Sequence, residues 1–209
     1  MPLIEKAPRR RLQPAERRTL ILEEALRLFA ERHYSGVSVR DIALACGINV
    51  GLLYHYFDSK DALVRSALEY AIANLMTGYA ERRQALDDAR AEIEAWLDTH
   101  VVMAPMLVRM VQLMGDYASS GVRAPEIDAL IAGFYQSERD LLESALAKGV
   151  ARGDFPLIDV ATTARRIGLM LDGIFFASRS RGDDRVVQDI RDLAGFLDDI
   201  LRISQRSRS

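Results

Sequence analysis

Cysteine is nearly absent: the 209 residues contain one, Cys46. A lone thiol makes neither an internal disulfide nor a multi-thiolate metal site. That excludes a disulfide scaffold, an iron–sulfur protein and a zinc finger, and it fits a reducing cytoplasm. Proline is scarce, at six residues, while 49% of the chain is hydrophobic and 28% charged. Collagen-like, low-complexity and disordered chains are thereby excluded. No uninterrupted apolar run of about 18 residues occurs, and the opening MPLIEKAPRRRLQPAERRTL is basic without the apolar segment of a signal peptide. The sequence therefore predicts neither a secreted nor a membrane-spanning protein. Its length predicts one or two domains.

Chemistry-bearing clusters are missing as well. His33, His55 and His100 fall on separate segments, and there is no paired metal motif and no phosphate-cradling glycine loop. No catalytic residues, no metal site and no cofactor are expected. A large excess of either charge is also lacking, the net being −2. Taken whole, that sum argues against a nucleic-acid partner. The sum hides a split, however. Residues 1–60 carry ten Lys or Arg against seven Asp or Glu, and residues 61–209 carry 18 against 23. A basic module joined to an acidic one is the reading this favours.

What is present is helical periodicity. Alternating strand patterns and internal repeats are not seen, so the fold class expected is all-α. A first helix over Pro14 to Arg32 lines up Leu20, Ile21, Ala25, Leu28 and Phe29. A second opens at Ser38, with Asp41 completing a capping box, and stops at Gly47. Asn49 caps a short third helix, Val50 to Tyr56, and Asp58 or Ser59 caps a fourth beginning at Lys60. Longer segments follow: Asp88 to Met103, Pro105 to Ala118, Pro125 to Arg152, Ile158 to Ser180 and Arg185 to Ile203. Each break between them contains Gly or Pro.

Two helices of about two turns around Cys46-Gly47-Ile48 have the form of a helix-turn-helix. The stretch ILEEALRLFAERHYSGVSVRDIALACGINVGLLYHYFDSKDALV resembles the N-terminal domain of the tetracycline-repressor-like (TetR) family of bacterial regulators. The parts that carry the resemblance are an apolar helix reaching Phe29, the SVRDIA helix start, the turn ACGI, the segment GLLYHYF and the SKDAL opening. Beyond it the likeness is one of outline: long helices, KGVARGDF at 148–155, and LMLDGIFF at 169–176, similar to the Asp-Gly step common in the family's eighth helix. The resemblance implies a three-helix DNA-binding domain over 1–65, with a basic N-terminal arm, and a larger ligand-binding and dimerisation domain over 66–209. It also implies DNA contacts at Val39, Arg40, Asn49, Val50, Gly51, Leu52, Tyr54, His55, Tyr56 and Lys60.

The residues themselves suit that task. Arg40 can pair bidentately with guanine, Tyr54 and His55 reach phosphates, and Lys60 beside the amides opening the fourth helix makes an anion site. Gly51 permits close approach to the backbone. Val50 stands where the family often has a polar residue, so its contact would be with a thymine methyl. His33 stands where the family usually has Gly. Upstream, Arg9, Arg10, Arg11, Arg17 and Arg18 read either as an arm along DNA or as a solvated tail. Phe57 reads as core, and Cys46 as a small buried hydrophobe.

In the acidic part, Met103, Met106, Met110, Met114 and Tyr117 recur at spacings of three and four. Trp96, His100, Phe134, Tyr135, Met170, Asp172, Phe175 and Phe176 are further candidates for an effector cavity, with core packing as the competing explanation for each. The stripe Val186, Ile190, Leu193, Phe196, Leu197, Ile200 and Leu201 looks too broad for the end of a monomer. Together with Gly173 and Ala177, and with Gly168 permitting close helix packing, it predicts a four-helix dimer interface. The expected protein is a cytoplasmic homodimeric regulator, a repressor released from palindromic operator DNA by a small apolar or amphipathic effector. The alternatives are an activating or ligand-independent regulator responding to a protein partner, or an all-helical enzyme.

Overall fold

Burial along one face, more than helix propensity, decides how this chain is organised. A computed structural model describes residues 12–202. Eight α-helices and two short 3-10 turns make up its regular structure, with no strand among the described residues. Three of the helices form a compact head: α1 (Pro14–Arg32), α2 (Val39–Ala45) and α3 (Val50–Tyr56). Long helices follow as α4 (Lys60–Arg83), α5 (Ala89–Ser119), α6 (Pro125–Arg152), α7 (Val160–Arg181) and α8 (Val186–Ile200).

Local chemistry sets the starts. Ser38 Oγ accepts from the Asp41 amide at 3.2 Å while Asp41 Oδ2 accepts from the Ser38 amide at 2.8 Å, the expected capping box. Asn49 Oδ1 accepts from the Leu52 amide at 2.7 Å and Ser59 Oγ from the Ala62 amide at 3.0 Å. Gly47 closes α2 at φ 65°, a conformation in which a Cβ is strained.

The expected break at Ala104-Pro105 does not occur, because α5 runs unbroken from Ala89 to Ser119 with Pro105 inside it. An interior proline removes one hydrogen bond and costs about 3 kcal/mol. Ala104, Leu107, Val108, Met110 and Val111, all buried, surround it, and burying each large side chain contributes roughly 1.5–3 kcal/mol. Long-range burial therefore outweighs the local signal. Pro105 itself faces solvent.

α5 is the hub of the fold, packing against α1, α4, α6, α7 and α8. One buried apolar cluster extends from Ile21 on α1 to Leu201 beyond α8. The expected division at 65/66 falls inside α4, which packs on α1 as well as on α5 and α6. Buried Glu92 on α5 accepts from Lys148 of α6 at 2.6 Å and pairs with Arg83 of α4 at 3.3 Å, fixing these three helices at one end. Among the described residues no helix is long and apolar enough to cross a membrane.

Candidate nucleic-acid interface and cavity

Leu53 and Phe57 anchor α3 in the head's core, at 0% and 4% exposure. This leaves the opposite side of α3 outward. Arg40, Asn49, Gly51, Tyr54 and His55 are exposed, and Val39, Val50, Leu52 and Tyr56 are half-buried. The guanidinium, phenol and imidazole that sequence reasoning named thus sit on the free faces of two short helices joined by a tight turn. Lys60 departs from that pattern. Its ammonium donates to the Tyr34 carbonyl and lies 4.2 Å from the centre of the Tyr34 ring. Burial holds its pKa below the usual lysine range. In this conformation Lys60 braces the head instead of facing outward. Arg18 stacks over Phe57, 5.4 Å from its centre. Arg9, Arg10 and Arg11 lie outside the described residues. Cys46 is half-buried and its thiol is pushed up to about 11 by burial, as a small apolar filler should be.

The head is tied to α5 and α7 at one corner. His33 Nδ1 lies 3.0 Å from Asp116 Oδ2, and the Arg179 guanidinium donates to Asp116 at 2.8 Å. Burial works against ionising Asp116, but the Arg179 and His33 hydrogen bonds hold its carboxyl below the usual range. The Tyr34 and Tyr117 rings meet edge to face at 5.9 Å beside this corner.

Further along α5, a cavity of about 140 Å³ opens among α5, α6 and α7. Trp96, His100, Met110, Phe134, Tyr135, Asp172 and Phe175 of the expected set line it. Met103, Met106, Met114, Tyr117, Met170 and Phe176 do not. Met114, Tyr117 and Phe176 border a neighbouring open groove, Met170 lies on the α7–α8 surface, and Met103 and Met106 pack half-buried against the core. Sequence reasoning missed Glu138, Arg139 and Arg165, which also line the cavity. Glu138 stands one turn after Phe134 on the same face of α6, and that spacing was the available signal.

The polar wall of this cavity is specific. The Trp96 indole donates to Glu138 Oε2 at 3.0 Å, and His100 Nε2 lies 3.1 Å from the same oxygen. His100 Nδ1 faces the Trp96 carbonyl at 2.8 Å and must donate to it, since a carbonyl only accepts. Glu138 Oε1 is buried with no hydrogen-bond partner. Burial, reinforced by the charge of Glu138 and opposed by His100, pushes Asp172 up to about 6.

The expected dimer stripe divides in two. Val186, Ile190, Leu193, Leu197 and Leu201 are buried in the chain's own core, so they do not form an outer face. What remains outward is Phe196 at 46% and Ile200 at 40% exposure. Phe196 joins Met170, Gly173, Ile174 and Ala177 around an open groove of about 490 Å³.

Comparison with known proteins agrees with this architecture. The family profile described as "Bacterial regulatory proteins, tetR family" matches residues 21–67, spanning most of α1 through the start of α4. The chain is 34% identical over 147 residues to the HTH-type transcriptional repressor KstR2 of Rhodococcus jostii, covering 66% of this chain and 68% of that protein. It is 32% identical over 165 residues to KstR2 of Mycolicibacterium smegmatis, covering 77% and 78%. The crystal structure of the TetR family regulator PfmR from Thermus thermophilus superposes with a TM-score of 0.72 at 25% identity, over 94% of this chain and all of that one. These relatives are regulators and not enzymes. With a helix-turn-helix head of this form on a helical body, the chain belongs to the TetR family of DNA-binding transcriptional regulators.

Proposed function

We propose that the protein is a cytoplasmic repressor that binds a pseudo-palindromic operator as a homodimer and releases it when a small molecule enters the cavity among α5, α6 and α7. Residues 1–65 act as the reading head and 66–209 as the effector and dimer body. The observation that carries this reading is the position of α5. It lines the cavity through Trp96, His100 and Met110, and it holds the head through Asp116 and Tyr117. A ligand that binds one arrangement of α5 better than another shifts the head with it.

On DNA, α3 enters the major groove, Arg40 reads a base edge, and Tyr54 and His55 hold phosphates. Val39, Asn49, Val50, Gly51, Leu52 and Tyr56 complete the contact face. Lys60 joins them only after its ammonium leaves Tyr34. Two heads reading successive grooves stand roughly 34–36 Å apart, and the groove around Phe196, Gly173 and Ala177 supplies the surface that joins the bodies.

Footprinting on the DNA upstream of the protein's own gene tests the reading. The expected result is protection of two half-sites related by a dyad, with Arg40→Ala and Tyr54→Phe each weakening the footprint while the fold is retained. Undiminished protection by both variants, or a single half-site, overturns it.

A further inference from the structure

The cavity's apolar walls are interrupted by two carboxylates, Glu138 with one buried oxygen left unpaired and Asp172 half-buried without a hydrogen-bond partner among the described residues. Glu138 presents Oε2 to the Trp96 indole and to His100, while its Oε1 is buried and accepts nothing. Asp172, facing the same cavity from α7, makes no hydrogen bond or ion pair among the described residues. A buried acceptor left unpaired costs about 1–3 kcal/mol, and more where it carries charge. The remaining basic side chains of the cavity are His100, already committed to Trp96 and Glu138, and Arg139 and Arg165, which are exposed at the cavity edge. Guanidinium groups in water are screened, whereas the buried Glu138 Oε1 and the half-buried Asp172 act through a lower effective dielectric. The acceptors left open on the inner wall are therefore carboxylate oxygens.

On the reading that this cavity is the effector site, we propose that it selects an organic cation: an amine or amidine on an apolar body, its N–H donors directed to Asp172 and Glu138. Such a group supplies donors to Glu138 Oε1 and to Asp172 and offsets the repulsion between the two carboxylates. An anion of the same shape meets that repulsion, and a neutral alcohol satisfies one acceptor without neutralising charge. The polar wall thus narrows the apolar or amphipathic effector expected from sequence to one class of head group. Burial, reinforced by the charge of Glu138, raises the Asp172 pKa toward neutrality, and a cation bound beside it would oppose that rise.

Trp96 is the protein's single tryptophan, buried in this wall and bonded to Glu138, so indole emission reports on the site alone. The experiment titrates the full chain with phenethylammonium, phenethyl alcohol and phenylacetate, three probes of one shape and three charges. The expected result is a saturable change in emission with the cation, at least about ten-fold tighter than with the alcohol and with no saturable change for the anion. In Glu138→Gln and Asp172→Asn the preference for cation over alcohol falls to within about three-fold while alcohol binding persists. Equal or tighter binding of the alcohol or the anion, no saturable response to the cation, or a preference unchanged in both variants overturns the proposal. Circular dichroism reports whether each variant folds, and if neither does, the comparison of probes on the unmodified protein still decides.

A parallel gel shift with operator DNA separates the two readings. Selective cation binding that leaves the DNA complex intact supports the head-group assignment and overturns effector release. Release of DNA by phenylacetate, with no binding of the cation, overturns the head-group assignment and supports release.

Discussion

His33 holds φ 63° and ψ 152° at the corner between α1 and the turn that follows, a region that residues with a Cβ rarely occupy. The family's usual glycine at this corner adopts it without strain. Here a side chain is kept, and it reaches Asp116 on α5. The two contributions separate by substitution. His33→Gly and His33→Ala both lose the Asp116 contact, but only alanine carries the strain, so urea melts should place His33→Ala about 1–3 kcal/mol below His33→Gly. Equal stability of the two would show that the corner is relaxed. Asp172 offers a pH test at the same scale. Its folded pKa of about 6 exceeds the ordinary value of 3.8, so the native state binds the proton more tightly than the unfolded chain. The associated stability is full below about pH 4 and is lost as pH rises through about 6. Two units correspond to about 3 kcal/mol, reduced to roughly 1–2 kcal/mol for a carboxyl that keeps partial contact with solvent. Asp172→Asn should therefore be more stable than the parent at pH 8 by about that amount, with the gap closing toward pH 4. A gap that does not vary with pH would sink the argument.

Among the helices, α6 shows how a single position fixes an element's end. Gly153 takes φ 77°, and the amides of Asp154 and Phe155 return to the Gly149 carbonyl at 2.9 and 3.1 Å. This folds the buried Phe155 ring onto Gly149, where an added Cβ would stand 2.1 Å from Cδ2. Alanine in place of an interior helical glycine ordinarily gains about 0.5–1 kcal/mol. Here the overlap wins, and Gly149→Ala should lower stability by about 1–3 kcal/mol, read as a lower thermal midpoint. An unchanged or raised midpoint would mean that the ring moves aside freely. The ends of α2 and α3 were legible in sequence because Ser38, Asp41, Gly47 and Asn49 act on neighbours three or four residues away. The continuity of α5 through Pro105 was not legible, since what overrides the proline is burial against α1, α4, α6 and α7. The same holds for the candidate site. Arg40, Tyr54 and His55 were readable from their place on short helices, whereas the inward turn of Lys60 and the partnership of Glu138 with Trp96 and His100 depend on segments 26 to 42 residues apart.

At the scale of the whole molecule, the assembly must be tested without damaging the protomer. Truncation after Ser180 would remove Val186, Ile190, Leu193, Leu197 and Leu201, all buried in the chain's own core, and would unfold the body whatever its oligomeric state. Phe196 is different. It lies half-exposed on the outer groove with Gly173 and Ala177, so Phe196→Glu places a charge in the proposed interface while leaving the core intact. Surface changes of this kind shift stability by no more than about 0.5 kcal/mol, whereas an unpaired carboxylate enclosed between two protomers costs several. The thermal midpoint at low protein concentration should hold while sedimentation moves to the monomer. Operator affinity should then drop by about 10²–10⁴, because two linked heads bind the two half-sites as one event and separate heads do not. A dimer that persists in Phe196→Glu would place the contact elsewhere on the body. A monomer that grips the operator as tightly as the parent would remove the need for two-fold symmetry in reading DNA.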